Sequence, residues 1–315
     1  MIIRIVNKLR RLYKSVYNLE NGLLKSGNLI NCSIDEYNNL LAEAIYTGYP
    51  ILISRFGSEE LNWYLNYKYL NSNKILKYYG FITCKIDTLL KSDTVINNLT
   101  FRPKSIKSTQ IFINEMDNTI PKIDVLGSWL FKENSQQVKF KKNMKYIYLG
   151  HLEPYYCENP WTLALRGKKV LVIHPMQKSI ESQYQMRNQI FEKFNILPDM
   201  DLKIIKSPYF DDTRFNTWEE IFNYLKSEIN KVDFDVAILG CGSWGMPLGG
   251  HIKELGKVAI HLGGATQLLF GIIGSRWETQ WPEFRKLNIV NNYWVKPLPE
   301  ETPSWARKFD KNAYW

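Results

Sequence analysis

Short apolar runs alternate with amphipathic stretches throughout the second half of the chain. The runs that have the length and composition of buried strands are residues 169–173, 202–205, 234–239 and 258–262. The stretches with helical spacing are residues 181–194, 218–230, 246–255 and 263–270. Strands and helices in this alternation predict a Rossmann-like α/β fold, with a mostly parallel sheet that carries helices on both faces.

The first half of the chain repeats this alternation less regularly. A helix with Ser33 at its N-cap and Gly48 at its end precedes residues 49–54, an apolar run that is suited to a buried strand. Further strands are predicted at residues 123–126 and 146–149, separated by connections rich in Asn and Lys. These strands are expected to extend the same sheet.

Residues 1–30 are a predicted helical extension to a single α/β domain over residues 31–315, whose halves are roughly residues 31–165 and 166–315. The apolar positions that recur at helical spacing are Ile2, Ile5, Leu9, Leu12, Val16 and Leu19. The cations around them are Arg4, Lys8, Arg10, Arg11 and Lys14. Such a helix either lies on an anionic membrane surface or packs on the domain or on a second subunit, so a homo-oligomer stays open.

Composition places the 315-residue chain among globular proteins, with 45% apolar and 23% charged residues. The net charge of +10 suits an anionic partner. The lysines are spread out, and neither zinc-finger spacing nor an aromatic RNA-binding signature is present, which argues against nucleic acid. Aromatic residues reach 14%, and their faces serve both sugar sites and ordinary cores.

The cellular location follows from patterns that the sequence lacks. The four cysteines are far apart, with no CxxC pair, as is typical of a reducing cytosol. No apolar run reaches the roughly 18 residues of a transmembrane helix. No signal-peptide pattern is present at the N-terminus. We expect a cytoplasmic protein, and peripheral contact at the inner face of the membrane through its first helix stays open.

Ligands of an open parallel sheet collect beyond the carboxyl ends of its strands. The segments that the predicted strands place there are residues 55–60, 174–179, 240–244 and 261–267. These four segments are the candidate site by position alone.

The turn at residues 240–245 has the pattern GxGxxG between a strand and a helix. Backbone N–H groups near Gly242 and Ser243 can approach a phosphate there, and the helix N-terminus adds a partial positive charge. No acidic residue ends the next strand, where His261 stands, so binding of a dinucleotide is disfavoured. Tight packing of helix on strand explains the glycines equally well.

A second glycine turn follows the next strand, at Gly263 and Gly264. The side chains of Thr266 and Gln267 can bind a diphosphate, a ribose or a sugar hydroxyl, or the turn is simply the capped start of a helix. Two such turns on adjacent crossover units together suggest a cradle for a diphosphate.

The segment RFGSEE at residues 55–60 brings one cation and two carboxylates to a strand end. Arg55 can neutralise a departing nucleoside diphosphate. Glu59 or Glu60 can bind a metal ion or take a proton from an attacking hydroxyl. The alternative is that the two glutamates stabilise the first turn of a helix through its dipole.

His174 is the other candidate base, although a lone histidine is more often structural. Gln177, which shares with His174 the loop predicted over residues 174–180, is assigned to the donor site. The pair Asp211 and Asp212 suits either a metal ion or a turn.

The pattern Arg55-Phe56-Gly57-x-x-Glu60 resembles the signature R-F-G-D-G-E of the GT-D glycosyltransferase family. Glu60 matches the Glu of that signature, and Ser58 stands where the family has Asp. The segments VLVIHP, ILGCGSWG and AIHLGGATQLLFGIIGSRW look like a branch found in surface-polysaccharide gene clusters. The likeness covers roughly residues 45–315 and is weakest in the middle.

The resemblance implies transfer of a sugar from a nucleotide-sugar, a UDP-sugar in the first place, to a glycan or lipid-linked glycan acceptor. In the family the Asp-x-Glu helps to bind a metal ion and the UDP-sugar. A serine cannot replace an anionic ligand, so Mn²⁺ or Mg²⁺ at Glu60 stays open. Arg55, the glycine turns, and Lys178 or Arg276 are the alternative means of stabilising the leaving diphosphate.

We therefore assign catalysis to Glu60, Arg55 and His174. The residues assigned to the donor are Arg55, Gly57, Ser58, Gln177, Gly242, Ser243, His261, Gly263, Gly264, Thr266 and Gln267. Two other functions stay open: a non-catalytic nucleotide-sugar-binding or scaffolding subunit of a glycan-assembly complex, and a polysaccharide-modifying transferase with a pyruvyl or methyl donor. A dehydrogenase is the remaining alternative and requires NAD.

Overall fold

The structure is a computed structural model that describes residues 2–17, 19, 30–89, 106–135, 137–192, 196–279, 281–306 and 313–315. Its centre is a seven-stranded sheet in which all neighbouring strands are parallel. The strands are β1 (Leu52–Arg55), β2 (Val125–Ser128), β3 (Lys145–Tyr148), β4 (Lys169–His174), β5 (Asp201–Lys206), β6 (Val236–Leu239) and β7 (Val258–His261). Their order across the sheet is β3-β2-β1-β7-β6-β4-β5. Both halves of the chain thus supply strands to one sheet, and the prediction of a Rossmann-like parallel sheet is confirmed.

The helices connect these strands and cover the sheet. The α-helices are α1 (Ile2–Val16), α2 (Ile34–Thr47), α3 (Ser58–Leu70), α4 (Lys74–Ile82), α5 (Ile106–Thr119), α6 (Gln177–Gln185), α7 (Arg187–Ile190), α8 (Trp218–Asn230), α9 (Gly245–Glu254), α10 (Ser275–Thr279) and α11 (Pro282–Lys286). The 3₁₀ helices are Ile120–Lys122, Phe131–Asn134, Leu149–Leu152, Pro154–Tyr156, Trp161–Leu165, Gly242–Trp244, Gly263–Phe270 and Pro299–Glu301.

Two apolar cores lie on opposite faces of the sheet, because successive strand side chains point to opposite sides. Leu52 and Leu171 belong to the core formed with α3, α5, α8 and α9. Ile53 and Val172 belong to the core formed with α2 and α6. The expectation of helices on both faces is therefore confirmed.

The connections change face at two places in the sheet. After β4 the chain continues into α6 on one face, whereas after the neighbouring β6 it continues into α9 on the other. The same divergence separates β1, which leads to α3, from its neighbour β7, which leads to the 3₁₀ helix Gly263–Phe270. Crevices open at such points in α/β sheets, and ligands bind there.

Two helical predictions differ from the structure. The helix expected over residues 181–194 begins already at Gln177, and Met186 separates α6 from α7. Residues 177–180 of the expected loop are therefore helical, because the carboxylate of Glu301 caps the N-terminus of α6. The helix expected over residues 263–270 is a 3₁₀ helix, which ends at Gly271 in the left-handed conformation.

The N-terminal helix packs on the domain. Val6 is buried in the core beneath α1, and Arg10 donates hydrogen bonds to the carbonyl oxygens of Phe81 and Ile86. The helix predicted within the extension is thus present over Ile2–Val16. Among the residues described, no helix has both the length and the apolarity that crossing a bilayer requires.

Candidate functional site

A cleft of about 870 Å³ opens at the carboxyl ends of the strands. The segments that follow β1, β2, β4, β5, β6 and β7 line it, among them Arg55, Trp129, His174, Gly240 and His261. Its size falls in the range of roughly 300–1,000 Å³ that is usual for small-molecule sites. The cleft therefore lies where the sheet topology favours ligand binding, and it brings together residues from all four segments singled out in the sequence.

Arg55 ends β1 and lies half-buried in this cleft. Its Nε and Nη2 donate to the carbonyl oxygen of Phe56, at 3.3 and 3.2 Å, and its guanidinium lies 5.2 Å from the ring centroid of Trp129. Its Nη1 has no hydrogen-bond partner among the described residues. A side chain at Gly263 would meet Arg55 Cδ at 3.5 Å. The arginine is thus held on its apolar flanks while a donor group stays available for an anion.

Trp129 is itself positioned by a buried carboxylate. Its indole N–H donates to the Phe56 carbonyl oxygen at 2.9 Å. Glu133, which is 1% exposed, accepts hydrogen bonds from the Ser128 hydroxyl at 2.5 Å and from the backbone N–H of Trp129 at 3.3 Å. This network fixes the ring on which Arg55 lies.

Arg55 faces three carboxyl groups whose pKa values burial raises. The pKa of Glu133 rises to about 7 and that of Glu153 to about 8. The pKa of Glu60 is also raised by burial. The positive charge of Arg55 opposes the rise at each of them. Burial thus favours the neutral form of these three carboxyl groups, and Arg55 partly offsets that preference.

Glu60 lies in the first turn of α3, and its carboxylate folds back over the start of the helix. A Cβ atom at Gly57 would lie 1.8 Å from Glu60 Oε2, so only glycine leaves room for this arrangement. Gly57 is the N-cap and has no side chain to accept the helix N–H groups. Glu60, Gly57 and Ser58 all line the cleft.

The two histidines at strand ends are neutral. Burial lowers the pKa of His174 to about 3, and burial together with the charge of Arg55 lowers that of His261 to about 3. His174 Nδ1 accepts the backbone N–H of Met176 at 3.1 Å, which leaves the ring proton on Nε2. His261 Nδ1 lies 3.0 Å from the Ser54 hydroxyl. With this tautomer His174 acts as a hydrogen-bond donor, which does not fit the role of base predicted for it.

Packing explains two of the glycines in the first turn. A side chain at Gly240 would meet the His174 ring at 2.5 Å, and one at Gly245 would meet the His261 ring at 2.5 Å. Gly242 differs from these two glycines. Its φ of +60° lies in the left-handed region, which favours glycine, and a Cβ atom built at this position would have no other atom within 4 Å. Gly242 is therefore the position at which the backbone can approach a ligand.

Ser243, the neighbour of Gly242, also lines the cleft. Its hydroxyl oxygen accepts the indole N–H of Trp218 at 3.0 Å. Trp244 in turn donates its indole N–H to the carbonyl oxygen of Trp218. In this bond the oxygen of Ser243 is the acceptor, so the hydroxyl proton of Ser243 takes no part in it.

The second glycine turn is partly covered by the end of the sequence. A side chain at Gly264 would meet the Tyr314 ring at 2.1 Å, so the ring lies directly on this turn. Arg276 donates to the Tyr314 hydroxyl at 2.9 Å, and its guanidinium lies 4.6 Å from the ring centroid. Arg276 thereby becomes a second cation in the wall of the cleft.

The two polar residues after this turn, Thr266 and Gln267, differ in their hydrogen bonds and in their position relative to the cleft. Thr266 is fully buried and donates to the carbonyl oxygen of Leu239, outside the lining of the cleft. Gln267 lines the cleft and donates to the carbonyl oxygens of Ile272 and Tyr314. Its buried Oε1 accepts no hydrogen bond from the residues described. Gln267 can thus offer its Oε1 to a ribose or sugar hydroxyl but not to a phosphate, since both are acceptors, whereas Thr266 supports the fold.

A carboxylate from the C-terminal region occupies the N-terminus of α6. Glu301, 1% exposed, accepts the backbone N–H groups of Lys178 at 2.7 Å and Ser179 at 3.0 Å. The amide of Gln177 points instead to Glu181, outside the cleft lining. Since Glu301 fills the place that a phosphate would take at this helix end, Gln177 does not belong to the donor cradle.

Loss of the Glu301 carboxylate should destabilise the protein. We expect Glu301→Gln to lower the free energy of unfolding by roughly 1.5–3 kcal/mol, because charge-assisted bonds to buried N–H groups are lost. Glu300→Gln is the matched control, since Glu300 is exposed and makes only a 3.4 Å ion pair with Lys178. Urea unfolding of both variants measures the difference. Equal effects of the two substitutions would contradict the capping role of Glu301.

Aromatic rings form a further part of the wall of the cleft. Trp305 lies 4.6 Å from Phe210, 5.6 Å from Tyr209 and 5.4 Å from Trp315, measured between ring centroids. Tyr209 and Phe210 come from the segment after β5, and Trp305 and Trp315 come from the C-terminal region. All of them line the cleft, so this region builds the site.

The carboxylates expected to bind a metal ion are dispersed. Asp212 pairs with Arg214, and Asp211 accepts the indole N–H of Trp305. Within the described part of the chain, no three His, Cys, Asp or Glu side chains cluster so as to hold a metal ion. Glu60 alone is a poor fit to Mn²⁺ or Mg²⁺. The cationic side chains that line the cleft, among the residues described, are those of Arg55 and Arg276.

Three residues that line the cleft or cap a helix beside it carried no recognised signal in the sequence. Trp129, Tyr314 and Glu301 stand far along the chain from the segments that they contact, and their patterns are not those of a motif. The concentration of aromatic residues after residue 277 was the one available indication.

Comparisons with known proteins return nothing on which to place the chain. No protein-family model and no curated protein matches its sequence, and no solved structure matches its fold.

Proposed function

We propose that the cleft binds a nucleoside diphosphate-sugar, with UDP as the expected nucleotide, and transfers the sugar to a hydroxyl group of a glycan. The observation that carries this proposal is the pair of arginines, Arg55 and Arg276, in one cleft with an open glycine turn and an aromatic wall. Two cations, together with backbone N–H groups that a ligand can approach near Gly242, suit a diphosphate. Flat rings suit a sugar or a nucleobase.

The diphosphate would lie between Arg55 and the turn at Gly242. Arg55 offers its Nη1, His174 offers its Nε2–H, and the backbone near Gly242 can approach closely. Neutral donors at the ends of β4 and β6 add hydrogen bonds without further charge. The sugar would then lie on the rings of Tyr209 and Trp305, which also line the cleft.

Transfer forms a bond from the acceptor hydroxyl oxygen to the anomeric carbon and breaks the bond from that carbon to the diphosphate. The electron pair leaves with the diphosphate, whose growing charge Arg55 and Arg276 stabilise. The hydroxyl proton passes to the carboxylate of Glu60. Its pKa is raised by burial, which makes the carboxylate a stronger base than an exposed one. The resemblance of residues 55–60 to the GT-D signature, whose Glu helps to bind the metal ion and the UDP-sugar, supports a place for Glu60 beside the donor.

A non-catalytic nucleotide-sugar-binding protein is the second candidate. It is favoured by Ser58, which stands where the GT-D signature has an anionic residue. Release of UDP from a UDP-hexose, with water or a glycan as acceptor, separates the two functions. A catalyst releases UDP steadily, whereas a binding protein retains the intact donor.

Calorimetric titration tests the donor assignment. We expect UDP and a UDP-hexose to bind in the micromolar range and S-adenosylmethionine not to bind. Arg276→Gln should weaken UDP binding about tenfold through the loss of a charge-assisted bond, while Arg166→Gln, an exposed arginine, should leave it unchanged. A folded chain that binds no nucleoside diphosphate, or prefers S-adenosylmethionine, would overturn the proposal.

A further inference from the structure

Helix α1 carries an apolar stripe that its packing on the domain does not use. Ile2, Ile5, Leu9, Leu12 and Val16 are spaced alternately three and four residues apart, and each is 43% to 67% exposed. Residues with this spacing share one face of a helix. Exposed apolar side chains usually occur singly, so a continuous stripe indicates a binding surface.

A different face of α1 attaches it to the domain. Val6 is buried, and Arg10 donates to the carbonyl oxygen of Ile86 at 2.6 Å while its guanidinium lies 4.4 Å from the ring centroid of Phe81. Each residue advances the helix by about 100°, so Val6 and Arg10 lie on one flank of the stripe. The helix is therefore fixed with its stripe directed away from the core.

Cations occupy the opposite flank of the stripe. Arg4, Lys8 and Arg11 are exposed and form no ion pair with any residue described. The helix contains no Asp or Glu that would neutralise them. The exposed surface of α1 thus combines a continuous apolar stripe with a row of uncompensated positive charge.

We propose that this surface binds an anionic lipid bilayer, with α1 lying in the plane of the interface. Anionic headgroups neutralise Arg4, Lys8 and Arg11, while the stripe enters the boundary between headgroups and acyl chains. Pairing of the stripe with the same stripe of a second copy would cover the apolar residues but bring no carboxylate of α1 to the three cations, since this helix has none. The charge therefore favours the lipid surface, and this inference is independent of what the cleft binds.

Sedimentation with vesicles tests the proposal on the full chain. We expect binding to vesicles of equal parts phosphatidylglycerol and phosphatidylcholine, and much weaker binding to phosphatidylcholine alone. The triple variant Arg4→Gln, Lys8→Gln, Arg11→Gln should lose about fivefold in affinity for each cation, hence about 100-fold. Raised salt should have a similar effect on the unaltered chain, because the attraction is screened.

Matched variants test whether vesicle binding depends on α1 or on any exposed apolar or cationic residue of the protein. The variant Leu9→Ser, Leu12→Ser should lose vesicle binding, whereas Ile75→Ser, at a site that is 83% exposed elsewhere on the surface, should not. Neutralising three exposed lysines outside α1, Lys139, Lys142 and Lys286, should leave most of the affinity. If light scattering finds a dimer that depends on Leu9 and Leu12, and the chain sediments with neither vesicle, the surface is a protein interface and the proposal is overturned.

Discussion

Replacement of Glu60 by glutamine is expected to reduce sugar transfer by about 10²–10⁴-fold while leaving UDP binding within a few-fold of normal. The amide keeps the size of the side chain but cannot accept a proton from the acceptor hydroxyl. Because Arg55 and the glycine turn would hold the diphosphate, the loss should fall on kcat more than on KM. Steady-state rates with a UDP-hexose, together with calorimetry of UDP, make the measurement.

Two neighbouring substitutions sharpen this result. Glu59→Gln alters the exposed carboxylate in the same helical turn, and turnover should stay near normal. Gly57→Ala has a backbone conformation that alanine accepts, with φ of −75°, but its Cβ would displace the Glu60 carboxylate. It should therefore lower turnover without unfolding the protein. Equal turnover in Glu60→Gln and the unaltered chain would remove Glu60 from catalysis.

The pH dependence of transfer should reflect the environment of Glu60. Burial raises its pKa, and the carboxylate must be ionised to accept a proton. Activity is therefore expected to increase with pH through a pKa above the roughly 4.3 of an exposed glutamate. Glu60→Gln should abolish this acidic limb, since the group that titrates is gone.

Local patterns in the sequence were sufficient to predict the sheet and the positions of the strand ends. The strand at residues 169–173 and the turn at residues 240 and 242 are formed by residues that lie close together in the sequence. The spacing of apolar residues and glycines is therefore enough to predict them. Arg55 and His261 were found for the same reason, since Arg55 directly follows the predicted strand 49–54 and His261 stands near the end of the predicted strand 258–262. In the structure each is the last residue of its strand. That both line one cleft follows from the parallel order of β1 and β7.

The roles of individual side chains depended on contacts that spacing does not show. Gln177 was assigned to the donor because it follows a strand, yet Glu301, more than a hundred residues later, takes the N–H groups at that helix end. Thr266 looked suited to a ligand and instead bonds the end of β6. Likewise the proton on His174 is set by the backbone N–H of Met176, a feature of the folded loop alone.

Replacement of Arg55 by methionine is expected to lower kcat/KM by about 10²–10³-fold and to weaken UDP binding. Methionine keeps an apolar stem against Trp129 but removes the charge that faces the diphosphate. Arg55→Lys should recover only part of the loss, because an ammonium group lacks the planar fork that binds two oxygens at once. Arg187→Met is a matched control, since Arg187 also lies over a ring, Tyr184, outside the cleft.

The same substitution should move the acidic limb of the activity profile, which a purely structural role would not do. Arg55 opposes the rise in the pKa of Glu60, so its removal should raise that pKa further and shift the limb to higher pH. Arg55→Lys, which keeps the charge, should shift it less. A normal limb in Arg55→Met, or a loss of activity matched by loss of folding in urea, would contradict the assigned role. A shifted limb in a folded protein would tie both residues to one reacting centre.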